Sequence, residues 1–280
     1  MKTVLFTLLL TLTLNISFAQ YNVFWGDKAS STISSTLNDM DEIKLIASEI
    51  VDVSRVKIDP INQKVYWAEK NMGKIWRSNF DGTNVQEVVS VTGQLSVFAI
   101  DQENELIYFS DNANKNIMTV DLDGKNKTTF ASDIGSVKGF AFDHMNKQVF
   151  WTDLTHGNIT QASLDGTGRE VVFENEDMIF FDLASDPINE QLYFTDRSSN
   201  EILRIDYFGQ NLSQVIELTN LAGAISLDPE LSKIFFKEGD QLNMANMDGT
   251  NVVMLAEGIM ELSGLDVYNK NAAQSMARKK

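Results

Sequence analysis

Apolar and polar residues alternate along most of this chain in short bursts. The clearest burst is Val149-Phe150-Trp151-Thr152-Asp153, with two rings at its centre and an acid at its end. It returns, respelled, as Val23-Phe24-Trp25-Gly26-Asp27, Val65-Tyr66-Trp67-Ala68-Glu69, Ile107-Tyr108-Phe109-Ser110-Asp111, Leu192-Tyr193-Phe194-Thr195-Asp196 and Ile234-Phe235-Phe236-Lys237-Glu238. From acid to acid the steps are 42, 42, 42, 43 and 42 residues. A fixed period of that size marks a repeat architecture and suits a propeller blade of four strands. One unit displays all four, at 56–59, 65–69, 74–80 and 85–89. Turn residues at such regular spacing predict short antiparallel strands rather than helices.

The punctuation repeats with the strands. Asp81-Gly82, Asp123-Gly124, Asp165-Gly166 and Asp248-Gly249 mark one turn, with Phe208-Gly209 as a variant and Asn38-Asp39 in the first unit. Asp59, Asp101, Asp143, Asp186 and Asp228 open another. The chain's three prolines, Pro60, Pro187 and Pro229, all follow acids of that second set. Proline fixes φ there and has no ladder bond to lose. The first unit lacks its first strand, while Ser263-Gly264-Leu265-Asp266-Val267-Tyr268 reads as a first strand with no second after it. The two ends are therefore expected to share one blade and leave no open sheet edge. The predicted fold is all-β: a six-bladed β-propeller of four-stranded antiparallel blades, closed by N- and C-terminal strands in one blade.

The flanks read differently. Lys2, the apolar run from Val4 to Phe18, and Ser17-Phe18-Ala19 form a signal peptide over 1–19. The propeller then spans 20–270, and 271–280 is a basic tail ending Arg278-Lys279-Lys280. The run is too short and too hydroxyl-rich for a membrane span, and no later stretch is longer. The expected location is outside the cell or in the periplasm. The chain has no cysteine, so packing and closure must replace disulfides, and cysteine chemistry is excluded. Its net charge is −16, and the leader carries one positive charge and no negative one. Such a field disfavours nucleic acid and anionic lipid and attracts cationic partners or divalent ions. The expected state is a monomer.

The paired aromatics before an acid, the Leu-Asp-Gly turn twelve residues on (Leu122-Asp123-Gly124, Leu164-Asp165-Gly166) and first strands ending in Asp-Pro resemble the YWTD (class B) repeats of the low-density lipoprotein receptor family. The resemblance covers essentially the whole chain after the leader. It implies a six-bladed propeller that binds protein or peptide ligands on one loop face. No repeat spells the motif in full, and no cysteine-rich module flanks it.

A motif present in every blade serves every blade. Trp25, Asp27, Trp67, Glu69, Phe109, Asp111, Trp151, Asp153, Phe194, Asp196, Phe236 and Glu238 are therefore read as structural: rings filling the wedges between sheets, acids accepting local bonds. Function belongs where the repeats disagree. Four residues before each turn acid stand Arg55, Val97, Gly139, Asp182 and Ala224, with Gly264 equivalent; one earlier stand Ser54, Ser96, Lys138, Phe181, Gly223 and Ser263. Small residues dominate, so Arg55, Lys138, Phe181 and Asp182 are the candidate ligand contacts, joined by His156 and Arg197 on second-to-third-strand loops. Arg55 and Asp182 could instead pair and plug the channel.

The expected function is an exported, non-enzymatic binding propeller for a protein or peptide, one of positive charge if net charge governs. The chain's two histidines fall on opposite faces, so they make no three-histidine metal site, and no Gly-x-Ser-x-Gly elbow occurs. No cofactor is required. The alternative is a calcium-dependent propeller hydrolase or lyase of lactonase type, with Asp182, Asp52 and Glu176 as oxygen donors. Asn126-Lys127-Thr128, Asn158-Ile159-Thr160 and Asn211-Leu212-Ser213 match the glycosylation pattern.

Overall fold

The computed structural model describes residues 21–36 and 43–270. The leader, the Asn38-Asp39 turn and the basic tail lie outside them. Every regular element described is a strand, and the strands form six four-stranded antiparallel sheets. Five are continuous in sequence: blade 2 over 53–90, blade 3 over 98–132, blade 4 over 137–174, blade 5 over 180–217 and blade 6 over 225–256. Blade 1 comes from both ends. Leu262–Asn269 forms its innermost strand and pairs with Tyr21–Asp27, outside which lie Thr32–Ser35 and Lys44–Ala47. The chain is a six-bladed β-propeller closed by its two ends.

Why each second strand carries two adjacent rings follows from strand geometry. Successive side chains point to opposite faces of a sheet. Two neighbouring aromatics therefore enter two different wedges, one on each side of their blade. Phe24 joins Trp67 between blades 1 and 2, and Tyr66 joins Phe109 between blades 2 and 3. Tyr108 with Trp151, Phe150 with Phe194, and Tyr193 with Phe236 fill the next three wedges. Phe235 with Trp25 fills the wedge that closes the circle. All twelve rings are buried. Each wedge thus receives the first ring of one blade and the second ring of the next, and a buried ring removes roughly 150–250 Å² from water.

The strand-end acids tie the connections down. Asp153 Oδ2 accepts the Gly135 N–H at 2.7 Å, Asp196 Oδ1 that of Ile179 at 2.8 Å, Glu69 Oε1 that of Val51 at 3.0 Å and Glu238 Oε1 that of Thr219 at 3.1 Å. In each case the loop entering a blade is fixed to the end of that blade's second strand. Asp27 accepts the N–H of Glu261 at 3.0 Å and of Met260 at 3.3 Å, so there the same device pins one end of the chain to the other. Asp111 holds its own turn instead, through Asn114.

At the opposite face the turn acids work with an asparagine three residues on, a spacing visible in the sequence. Asp101 accepts the Asn104 N–H at 3.0 Å and its amide at 2.8 Å, and Asp59, Asp143 and Asp186 repeat this with Asn62, Asn146 and Asn189. This is the Asx-type turn that Asp favours. Of the three glycosylation matches, Asn158 is buried in a third strand with its Oδ1 taken by Thr160, whereas Asn126 and Asn211 are exposed.

His144 links two of these turns. Its Nε2 lies 2.8 Å from Asp101 Oδ1 and its Nδ1 3.9 Å from Glu103. The Asp101 bond raises the imidazole pKa above the ordinary 6.5, against the effect of burial. Burial acts against ionised Asp101, yet bonds from His144 and Asn104 carry its carboxyl below 3.8. The histidine's contribution to stability is full below pH 6.5 and is lost as pH rises through its raised folded value. That of Asp101 is present above pH 3.8 and lost as pH falls through its lowered one. In thermal melts across pH, the gap between wild type and His144→Gln should be widest between those limits and narrow on either side; a gap constant with pH would contradict the link.

Candidate functional site

The channel mouth is built by a backbone irregularity. In blades 2, 4 and 5 the register between first and second strands breaks between Val53 and Arg55, between Val137 and Phe140, and between Phe180 and Leu183. Residues skipped by the ladder (Ser54; Lys138 and Gly139; Phe181 and Asp182) leave the pairing plane, which is how bulges re-aim side chains. Their freed N–H groups need acceptors. Thr152 Oγ1 accepts from Lys138 at 3.3 Å and from Gly139 at 2.9 Å, and Thr195 Oγ1 from Asp182 at 3.0 Å. Ser110 Oγ does the same for Ser96 and Val97. The hydroxyl before the strand-end acid is therefore the acceptor for the loosened first strand, a role not read from the sequence.

The first strands approach one another closely at the axis. A Cβ on Gly139 would lie 2.6 Å from the Leu183 nitrogen, and one on Gly264 2.2 Å from that of Val56. This accounts for the small residues there. Across the pinch, Arg55 and Asp182 meet from opposite blades. Arg55 Nη1 lies 2.8 Å from Asp182 Oδ2, and both residues are buried, at 2% and 3% exposure. Asp182 Oδ2 also accepts the Ile225 N–H at 3.1 Å, and its Oδ1 that of Leu183 at 3.0 Å. Arg55 Nη2 donates to the Lys138 carbonyl. The Nη1 contact is an ion pair by distance, with its N–H bonds aimed off that line, and Nε has no partner in the protein. Arg55 and Asp182 thus form a floor. One layer deeper, Lys57, two residues past Arg55, and Asp266, two past Gly264 on the innermost strand of blade 1, stand 3.8 Å apart where Ala99, Ala141 and Ala184 are the small equivalents. Burial pushes the Asp266 carboxyl pKa up. The alignment that picked out Arg55 and Asp182 could have found this second pair.

Above the floor is a bowl of about 770 Å³. Its inner ring is Ser54, Ser96, Lys138, Phe181, Gly223 and Ser263. An outer ring is set by the residue following five of the six strand-end acids: Lys28, Lys70, Leu154, Arg197 and Gly239. That position is readable in the sequence, yet Lys28, Lys70 and, on the strand itself, Lys237 were not singled out. Phe181 is held between two guanidiniums, with Arg197 Cζ 3.3 Å from its ring centroid and Arg55 Cζ 5.7 Å. Arg197 Nε donates to the Ala222 carbonyl at 2.8 Å.

The bowl's charge opposes that of the whole chain. Six cations border it, Lys28, Arg55, Lys70, Lys138, Arg197 and Lys237, against Asp52 and Glu261 at the edge and Asp182 below. Lys28 is engaged by Asp52 at 2.9 Å. Burial, then the charges of Lys70, Arg55 and Arg197, lower the Lys138 ammonium pKa. Burial and then Arg55 lower Arg197 to about 10, against the pull of Asp182 and Glu261. The cationic partner expected from net charge finds no support in this lining. On one side the rim is apolar, with Ile179, Leu221 and Met260 exposed on three consecutive entering loops.

Five of the six candidate residues (Arg55, Lys138, Phe181, Asp182, Arg197) come together here. His156 does not. It lies in a separate groove, half exposed, with Nδ1 2.8 Å from Asp153 Oδ2. The proposed calcium donors are also dispersed: Asp182 is held by Arg55, Asp52 by Lys28, and Glu176 borders the His156 groove. Among the described residues, no three His, Cys, Asp or Glu side chains gather closely enough to hold a metal ion. No helix among them is long and apolar enough to cross a membrane.

No protein-family model matches the sequence, and no curated protein matches it. Solved structures do match the fold. The propeller resembles one in a nidogen/laminin complex, with a TM-score of 0.78 and 14% identity over 89% of this chain and 99% of that one. It resembles TolB from Acinetobacter baumannii at 0.71 and 14%, over 88% and 66%. A gluconolactonase from Xanthomonas campestris matches at 0.68 and 16%, over 84% and 83%. At such identities the likeness concerns fold alone, and it spans a propeller in a protein complex, TolB and an enzyme.

Breaking a buried ion pair by removing one partner costs about 3–5 kcal/mol, because the other charge is left stranded. Arg55→Met should lose stability on that scale in urea titrations. Adding Asp182→Asn, which keeps an acceptor for Ile225, should recover part of the loss. A single variant as stable as wild type would show that the pair is not the floor of the channel.

Proposed function

We propose that this chain is an exported, non-enzymatic binding propeller of the YWTD kind, and that the mouth face takes a protein or peptide ligand. The observation that carries the reading is the bowl itself: an open, pre-formed concavity whose polar groups belong to the residues on which the repeats disagree, bordered by an apolar rim. Concave sites with a few convergent polar groups are the usual form of a ligand site, and exposed apolar patches commonly mark protein contacts. The likeness to the nidogen propeller supports it at the level of fold. The dispersal of Asp52, Asp182 and Glu176 supports binding over the calcium-dependent alternative. Export rests on the leader reading of residues 1–19.

Affinity capture from the native exported fraction tests this, using wild type, a mouth variant (Lys70→Gln, Lys138→Gln, Leu221→Asn, Met260→Ser) and an opposite-face control (Met145→Ser). A partner retained by wild type and control should be lost by the mouth variant. A partner lost with Met145→Ser and kept by the mouth variant would place binding on the wrong face.

A further inference from the structure

We infer that the bowl is a receptor for clustered carboxylates, so that the ligand presents a segment with two or more neighbouring acidic groups. This rests on the binding reading and specifies its chemistry; it also reverses the sign of partner that net charge suggests.

The first observation is convergence. Cations from blades 1, 2, 4, 5 and 6 face one bowl in a chain of net charge −16, and in the lining itself and its floor they outnumber the carboxylates Asp52, Glu261 and Asp182, with Asp27 and Asp240 acting on Lys237 from outside it. Two of those carboxylates, Asp182 and Asp52, are already held by Arg55 and Lys28. The second observation is unspent capacity. Arg55 Nε and Ser54 Oγ are buried polar atoms without hydrogen-bond partners in the protein. The ammoniums of Lys70 and Lys138 take part in no ion pair or hydrogen bond among the described residues. Buried polar groups left unmatched are costly, and a ligand supplying acceptors relieves that cost. The third observation is crowding of like charge. Burial first, and then the neighbouring Lys70, Arg55 and Arg197, disfavour the charged form of Lys138, which an anion bound beside it would favour.

Number and shape follow from the layout. The cations ring an axis, so one carboxylate would meet one side and leave the others opposed, whereas adjacent acidic groups reach several. The exposed Ile179, Leu221 and Met260 beside the bowl suit apolar residues flanking the acidic pair. This juxtaposition favours a peptide segment over a bare small anion.

The test uses the full exported chain and labelled peptides in fluorescence anisotropy: a Leu-flanked Asp-Glu peptide, its Asn-Gln counterpart and a Lys-Lys counterpart. The acidic peptide should bind, weaken as salt is raised, and be displaced by citrate, which carries clustered carboxylates without a chain. Lys70→Gln/Lys138→Gln should lower its affinity about tenfold or more, with Lys70→Arg/Lys138→Arg restoring most of it. Melting curves confirm that both variants fold. Citrate should also protect Lys138 from amine acylation, read by mass spectrometry. Equal binding of neutral or basic peptides, or full affinity in the Gln variant, would overturn the inference. If neither acidic peptide nor citrate binds while partner capture still depends on the mouth, clustered carboxylates are wrong and the binding reading stands. If capture is also indifferent to the mouth, both fall.

Discussion

The ring depends on the packing of aromatic side chains in the wedges between blades. Each blade contributes one ring to the wedge before it and one to the wedge behind it, because neighbours on a strand face opposite ways. No blade can bury both rings alone, so the blades stabilise one another pairwise around a closed circle, as in other repeat architectures. Closure by Leu262–Asn269 is needed to supply the last wedge, where Phe235 meets Trp25. With no disulfide available, this shared burial carries the stability.

A ring held from its wedges leaves its axis free to vary. The first strands need only stay close enough to touch, and Gly139 and Gly264 let them. Where the ladder slips at the mouth, a threonine from the neighbouring strand takes up the loosened N–H groups. Positions released in this way can carry charge without disturbing the blades. Asp182 uses that freedom to meet Arg55 and close the channel, and Lys138, released in the same way, joins the cations of the loops above. At the opposite end Asp59, Asp101, Asp143, Asp186 and Asp228 shape turns, and at the mouth end the strand-end acids are taken up by N–H groups of the entering loops. Net charge thus reflects acids committed to turns and loops and does not describe the lining of the bowl.

The fold was legible because the period, the doubled rings and the Asp-Gly turns are local features that recur in register. The inner ring of the bowl was legible for the same reason, since equivalent strand positions could be aligned. The charge of the bowl was masked, because Lys28 and Lys70 follow acids in the strand-end motif and Lys237 stands inside it, so they read as part of the structural repeat. His156 misled because its loop belongs to the correct face while its side chain turns outward to Asp153. The role of Thr152 was invisible because a bulge leaves no mark on the alternation of apolar and polar residues.

The wedge arrangement is tested most directly by two double-mutant cycles sharing Phe194. Phe173 and Phe194 come from different blades, with ring centroids 6.0 Å apart in one wedge. Tyr193 and Phe194 are adjacent in sequence but enter different wedges. With each residue changed to leucine and stability read by urea unfolding, the Phe173–Phe194 cycle should show a coupling of about 0.5 kcal/mol or more. The Tyr193–Phe194 cycle should be additive within about 0.3–0.5 kcal/mol. Strong coupling between the sequence neighbours, with additivity across the wedge, would contradict it.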